Sequence, residues 1–425
     1  MTARTPLEVT ALRARGILDS RGYPTVEVTA VLGDGARLVA AAPAGASTGE
    51  HEAVEVRDHG PEYGGRGVRR AVRNVDGEIA ALVTGRVWES IDELDAALGA
   101  LGGTPGYSRL GANAVVAVSI AAARGFAHAA GAELHAWIAG RLGTAERLPV
   151  PHFNVLNGGA HAVNGLDFQE FMIAPVDAGT EEHAVQVGAE VYHALAAVVR
   201  ERYGTAGLGD EGGFAPPISD PRVALDLLLT AIEAAGHTPG VDRVAIALDP
   251  AANGFHLGSG RYRIDGRELD DEGLTGYYRD LIEHYPIRSV EDGFAEDDPH
   301  GWATQAAALL GRVQLVGDDL YVTDPARIRD GAAHGYTDAV LIKPNQIGTV
   351  SQTFDAIRAA REAGMACMVS HRSGETADTF IADLVVGSGV GQLKSGAPAR
   401  GERVAKYNRL TEIEIDHPAL PYGLA

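Results

Sequence analysis

Hydrophobic and polar positions along this chain fall into two regimes. Residues 25–32 read TVEVTAVL, an alternation with a period of two. The turn Gly33-Asp34-Gly35 follows, and residues 36–42 are again extended and apolar. This predicts two strands joined by a glycine-containing turn. The small residues Gly45-Ala46-Ser47-Thr48-Gly49 then predict a mobile loop, 44–52. From about residue 68 to 139 the apolar spacing becomes helical. Residues 112–132 are the most apolar stretch, but Asn113, Ser119, Arg124 and His128 interrupt it, so it reads as an Ala-rich buried helix and not a membrane span. The expected unit is a small α+β domain, 1–140.

Beyond Pro149 and Pro151 the pattern changes. Short apolar runs recur, and each leads into a polar residue: VAIAL into Asp249, SV into Glu291, VQLVG into Asp318, AVLI into Lys343, ACMVS into His371 and QL into Lys394. Most intervals have the length of one strand, one helix and two loops. Strand–helix repeats imply parallel strands and a βα barrel over 141–425. The C-terminal strand ends of such a barrel converge on one mouth. Helix capping explains a carboxylate at such a position. It does not explain two lysines, because cations are disfavoured near helix N-termini.

Composition sharpens this picture. The chain has 425 residues and a formal net charge of −21, which makes nucleic acid a poor partner. An anionic small substrate stays open if metal ions or local basic residues handle its charge. Of 36 basic residues only three are lysines: Lys343, Lys394 and Lys406. Arginine cannot give up its proton near neutral pH and a buried lysine can, so the surviving lysines are candidates for work arginine cannot do. Cys367 is the single cysteine, so no intrachain disulfide forms and a reducing compartment is permitted. The N-terminus lacks the apolar core of a secretory signal, and the expected location is cytoplasmic.

Asp249, Glu291 and Asp318 are hard oxygen ligands suited to Mg²⁺. Lys343 and Lys394 face them in the barrel. A lysine among other cations and away from water loses pKa and becomes a base. Gln169-Glu170 and Gly209-Asp210-Glu211-Gly212-Gly213 add acidic groups, the latter reading equally as a surface turn. With Lys343 taking a proton and Glu211 protonating a leaving hydroxyl, an elimination becomes feasible. Arg372 with Ser373 makes a phosphate clamp. His161 is a further polar contact, although a lone histidine is more often structural. Gly387-x-Gly389-x-Gly391 lacks the dinucleotide spacing, and no His-Glu-x-x-His or Gly-x-Ser-x-Gly motif occurs.

These residues match a family along essentially the whole chain. Residues 18–28 (LDSRGYPTVEV), 45–53 (GASTGEHEA), 157–161 (NGGAH), 168–173 (FQEFMI), 209–216 (GDEGGFAP), 247–249 (ALD), 289–298 (SVEDGFAEDD), 316–323 (VGDDLYVT), 341–349 (LIKPNQIGT), 370–376 (SHRSGET) and 391–394 (GQLK), followed by 402–408 (ERVAKYN), resemble enolase, the 2-phosphoglycerate hydro-lyase. The resemblance implies a modified TIM barrel preceded by a smaller α+β domain, and a reversible dehydration of 2-phospho-D-glycerate to phosphoenolpyruvate in glycolysis. It implies Asp249, Glu291 and Asp318 as ligands of a first Mg²⁺, with Ser47 joining a second that arrives with substrate. Lys343 is then the base and Glu211 the acid, assisted by Glu170. Lys394 binds the carboxylate, Arg372 and Ser373 the phosphate, and His161, Gln169 and His371 line the pocket. The family works as homodimers or rings of dimers. Four places depart from its usual pattern: Tyr23, Ala44, residues 250–255 (PAANGF) after Asp249, and Ala377. They leave a second reading open, a secondary-metabolism paralogue that dehydrates a phosphonate or phosphinate analogue, for example to carboxyphosphonoenolpyruvate.

Overall fold

A computed structural model describes residues 5–46, 49–205 and 207–425. In the first part of the chain, β1 (Leu7–Leu18), β2 (Pro24–Leu32), β3 (Arg37–Ala41) and β4 (Val87–Trp88) form one sheet in the order β3-β2-β1-β4. The alternation of β2 buries Val26, Val28, Ala30 and Leu32 on one face. Its turn into β3 is closed by Leu32 N–H donating to Ala36 O at 2.9 Å, with Gly35 at φ 88°. Only glycine adopts that conformation freely. The expected hairpin is therefore present.

Strand β1 was not among the expected elements. Its register against β2 shifts between Val9 and Ala11. Such an irregularity breaks the period-two signal in the sequence.

The Ala-rich stretch forms the Ala112–Ala129 helix, which is buried on almost every face. It is the one described helix long and apolar enough to cross a membrane, but 83% of it is buried inside the fold. Its interrupting polar residues are satisfied internally. Asn113 bonds the backbone of Val56, and Ser119 Oγ accepts from Val350 N at 2.9 Å.

The second part is a closed barrel. It comprises β5 (Val150–Asn157), β6 (Glu170–Pro175) and β7 (Val244–Asp249). A three-stranded excursion follows: β8 (His256–Gly258), β9 (Arg261–Ile264) and β10 (Arg267–Leu269). The barrel then resumes with β11 (Ile287–Glu291), β12 (Gln314–Gly317), β13 (Ala339–Ile342), β14 (Ala366–Ser370) and β15 (Gln392–Lys394). The order around the ring is β11-β12-β13-β14-β15-β5-β6-β7. Val316, Ala339, Leu341 and Met368 make one interior cluster, and Val150, Ala174 and Ala245 another.

The expectation of uniformly parallel strands needs one correction. Strand β6 runs antiparallel to both β5 and β7, whereas the other neighbouring pairs are parallel. The link from β5 to β6 holds only a single short helical turn, Gly159–His161, so β6 returns as in a hairpin. This reversal positions the site. Glu170 is the first residue of β6, not the last, and it pairs with Asn157 and Asp249, both at the ends of their strands.

Candidate active site at the barrel mouth

Lys394 ends β15 and lies among carboxylates from three other strands. Its Nζ is 2.7 Å from Glu291 Oε1, 3.1 Å from Asp249 Oδ2 and 3.3 Å from Glu170 Oε2. Lys343 follows β13 directly and donates to Asp318 Oδ2, while Gln346 Nε2 donates to Asp318 Oδ1 at 2.9 Å. All six ionisable groups are buried.

The carboxylates share one electrostatic problem. Burial and the charge of Glu211 push Glu170 well above the usual carboxylate range, with Lys394 offsetting part of the rise. Burial and Asp249 raise Glu291 in the same way. Burial also acts against the Asp318 carboxylate, but Lys343 and Lys394 outweigh it and hold Asp318 below its usual value.

Asp249, Glu291 and Asp318 sit at neighbouring strand ends as expected, yet each is drawn onto a lysine. Among the described residues they do not form a set of ligand atoms within 4.8 Å of one another; Asp292, Asp318 and Asp319 do. Asp292 is a positioning group, since its two oxygens accept from Asp318 N and Asp319 N at 2.8 Å each. The three expected ligands still suit a hard divalent cation. They are all oxygen donors, Glu291 Oε2 is buried without a hydrogen-bond partner, and a cation relieves the repulsion that raises Glu291. Ser47 lies outside the described residues.

One electrostatic expectation is overturned. Burial, Arg372 and Lys394 all lower the Lys343 pKa, as the sequence suggested, but the ion pair with Asp318 prevails and leaves it above its ordinary value.

On the other side of the mouth, His161 Nδ1 is 3.6 Å from Glu211 Oε1 and 3.7 Å from Glu170 Oε1. Glu211 Oε2 accepts from Asn154 Nδ2 at 2.9 Å and lies 3.2 Å from His371 Nε2. Burial lowers the His371 imidazole to about 3 and depresses His161 as well. Burial acts to raise Glu211, but the imidazoles and Arg403 bring it well below its usual value.

The Gly209–Gly213 segment is a buried loop and not a surface turn. A Cβ on Gly209 would lie 2.6 Å from Asn157 Cβ, and one on Gly213 would lie 2.9 Å from Leu156 N. The glycines let Glu211 approach β5 this closely. Gln169 is buried, with its backbone bonded to Gly158 and Asp249.

Arg372 and Ser373 lie in the loop after β14. The Arg372 guanidinium grips Glu52 with both terminal nitrogens at 2.9 Å, and Ser373 Oγ accepts from Ala46 N at 2.6 Å. The described parts of residues 44–52 thus reach the barrel mouth. Glu52, Gln346, Asn154 and Arg403 were not singled out from the sequence. Arg403 is fully buried and donates to His371 Nδ1 and to the carbonyls of Arg372 and Ser373. Its signal was available in the ERVAKYN motif. Lys406, in contrast, bonds Glu375 and the Thr376 and Glu402 carbonyls and has a structural role.

Residues 9–138 match the family described as "Enolase, N-terminal domain", and residues 145–419 match "Enolase, C-terminal TIM barrel domain". The chain belongs to the enolase family. A protein named "Enolase" from Mycobacteroides abscessus is 51% identical over 401 residues, covering 94% of this chain and 93% of that protein. Another "Enolase", from Acidothermus cellulolyticus, is 52% identical over 419 residues, covering 98% and 97%. Enolase membership makes this chain a hydro-lyase acting on a small phosphorylated substrate with a divalent metal. These relatives do not favour the reading as a phosphonate-pathway paralogue. The departures from the enolase pattern leave the mouth intact. Ala44 engages Gly374 through backbone atoms, and the Tyr23 ring lies under Arg66 at 4.3 Å.

Proposed function

We propose that this enolase carries out the Mg²⁺-dependent, reversible dehydration of 2-phospho-D-glycerate to phosphoenolpyruvate, with Lys343 as base and Glu211 as acid. One observation supports this most strongly. In the ring order, β13 and β6 are diametrically opposite, so Lys343 and the Glu170–Glu211 pair face each other across one mouth. A proton leaves one face of the substrate while hydroxyl departs from the other, which is the geometry of an anti elimination.

Asp249, Glu291 and Asp318 are the residues to hold the first Mg²⁺, with Ser47 joining a second. Bound there, the cation supplies charge neutralisation for the substrate carboxylate as a second negative charge develops on it. A cation held by Asp318 would weaken the ion pair that raises the Lys343 pKa. Lys343 then removes the proton at C2. Lys394 orients the carboxylate, and Arg372 exchanges Glu52 for the phosphate with Ser373 beside it. Glu211 delivers a proton to the C3 hydroxyl, and Glu170, within 4.8 Å of it across His161, supplies that proton. His161, Gln169 and His371 line the pocket.

We also propose a cytoplasmic homodimer or ring of dimers, with the 1–140 domain making the subunit contact. Turnover of 2-phospho-D-glycerate, followed by ultraviolet absorbance of the enol product, tests the reaction. The expected result is fast turnover that a chelator abolishes and Mg²⁺ restores. A folded protein without turnover on this substrate overturns the assignment.

A further inference from the structure

Apart from the mouth residues, Glu133, His135 and His417 bring one carboxylate oxygen and two imidazole nitrogens within 4.8 Å of one another. Glu133 and His135 open the Leu134–Leu142 helix, and His417 caps the C-terminal end of the Gly401–Asp416 helix. His135 Nε2 and His417 Nε2 both face Glu133 Oε2, the latter at 3.0 Å. The other nitrogen of His135, Nδ1, faces Glu146 Oε1.

We propose that Glu133, His135 and His417 form a second metal site, specific for a nitrogen-preferring divalent cation of the Zn²⁺ class. The argument starts from proton counting. A neutral imidazole carries one N–H. His135 faces carboxylates with both nitrogens, and its side chain is only 1% exposed. If Nδ1–H donates to Glu146, the Nε2 lone pair points at the Glu133 oxygen, and His417 directs a third polar atom at the same oxygen. A proton bridges two of these atoms; a metal ion bridges all three.

Glu146 completes the pattern. A metal-binding histidine characteristically donates its second N–H to a carboxylate, which fixes its tautomer and orientation. The donor set of two imidazoles and a carboxylate suits Zn²⁺, with water as fourth ligand. His135 forms the buried floor, while Glu133 and His417 are about half exposed, leaving an entry path. The Asp249–Glu291–Asp318 set, by contrast, is all oxygen and suits Mg²⁺. The ion would clamp the start of the Leu134–Leu142 helix to the C-terminal segment.

The test is calorimetric titration of the chelator-stripped full-length protein with Zn²⁺, in saturating Mg²⁺ to occupy the mouth carboxylates. We expect roughly one Zn²⁺ per chain, a higher melting temperature, and, with Co²⁺ as probe, visible absorption bands typical of nitrogen ligation. His417→Ala should remove all three, with the circular dichroism spectrum and turnover unchanged. Glu146→Gln should weaken Zn²⁺ binding about 10- to 100-fold. Absence of Zn²⁺ binding beyond the mouth, or binding that survives unchanged in both variants, overturns the proposal and leaves His135 as a structural histidine between two carboxylates.

Discussion

Lys394 and Lys343 show where lysine persists in a chain that otherwise uses arginine. Lys394 places a single compact ammonium among carboxylates of three strands, and Lys343 directs one at Asp318 alone. The reverse holds at Arg372. Its two terminal nitrogens meet the two oxygens of Glu52 side by side, a geometry that suits a phosphate equally. Arg372→Lys keeps the charge and loses the fork. Steady-state kinetics of that variant should show KM for the phosphorylated substrate rising about tenfold, the cost of roughly one charge-assisted hydrogen bond, with a smaller change in kcat. A fall in kcat at unchanged KM would remove Arg372 from ground-state phosphate binding. Asp249, Glu291 and Asp318 were legible as a trio because each ends an apolar run. Glu52 was not, because its importance lies in a contact with a residue 320 positions away.

At the scale of elements, six of the eight barrel strands, all but β5 and β6, were read from their apolar runs, and the hairpin of β2 and β3 from alternation and a glycine turn. Strand β1 escaped because its bulge breaks the period, and β4 because two residues carry no period at all. The antiparallel run of β6 escaped for another reason. Strand direction is set by the length of the connection, and the helical repeat was assumed there instead of counted. The Gly209–Gly213 loop was left balanced between site and surface turn, since Gly and Asp favour both. Its packing decides the matter. Gly213→Ala brings a Cβ to 2.6 Å from Asn157 Oδ1 and 2.9 Å from Leu156 N, so the loop must shift. Thermal denaturation should show a loss of about 1–3 kcal/mol, as for other overpacked positions. Dehydration should fall more than substrate affinity, because Glu211 moves with the loop. Wild-type stability and kcat in this variant would contradict the packing argument.

For the whole molecule, the first-domain sheet and the barrel meet around the loop after β14. Ala44 pairs with Gly374, Ser20 Oγ donates to Ser373 O at 3.1 Å, and Arg124 forks onto Asp378 at 2.7 and 2.8 Å. The same loop carries Arg372 and Ser373, so packing at this seam holds the substrate pocket. Asp378 also accepts from Ala41 N at 3.0 Å. Burial acts to raise its pKa, but Arg124 and the backbone donors of Phe380 and Ala41 win, and the folded value lies below 3.8. A depressed carboxylate contributes stability that is complete above the unfolded value and is lost as pH falls through the folded one. Asp378 should therefore contribute above about pH 4 to 5 and fade below it. Asp378→Asn should cost about 1–3 kcal/mol at neutral pH, since it deprives a partly buried guanidinium of its charged partner. Denaturant melts of both proteins across pH should converge in acid. A constant gap down to the lowest accessible pH would contradict this origin.

The central claim is that base and acid act from opposite walls of one mouth, and isotope exchange separates them. In D₂O with Mg²⁺, 2-phospho-D-glycerate is followed by nuclear magnetic resonance at C2. Glu211→Gln should exchange the C2 proton while forming little phosphoenolpyruvate, because Lys343 still works and the hydroxyl cannot leave. Lys343→Ala should do neither. Wild-type exchange in Lys343→Ala, or loss of exchange together with dehydration in a folded Glu211→Gln protein, would contradict the division of labour proposed across the barrel.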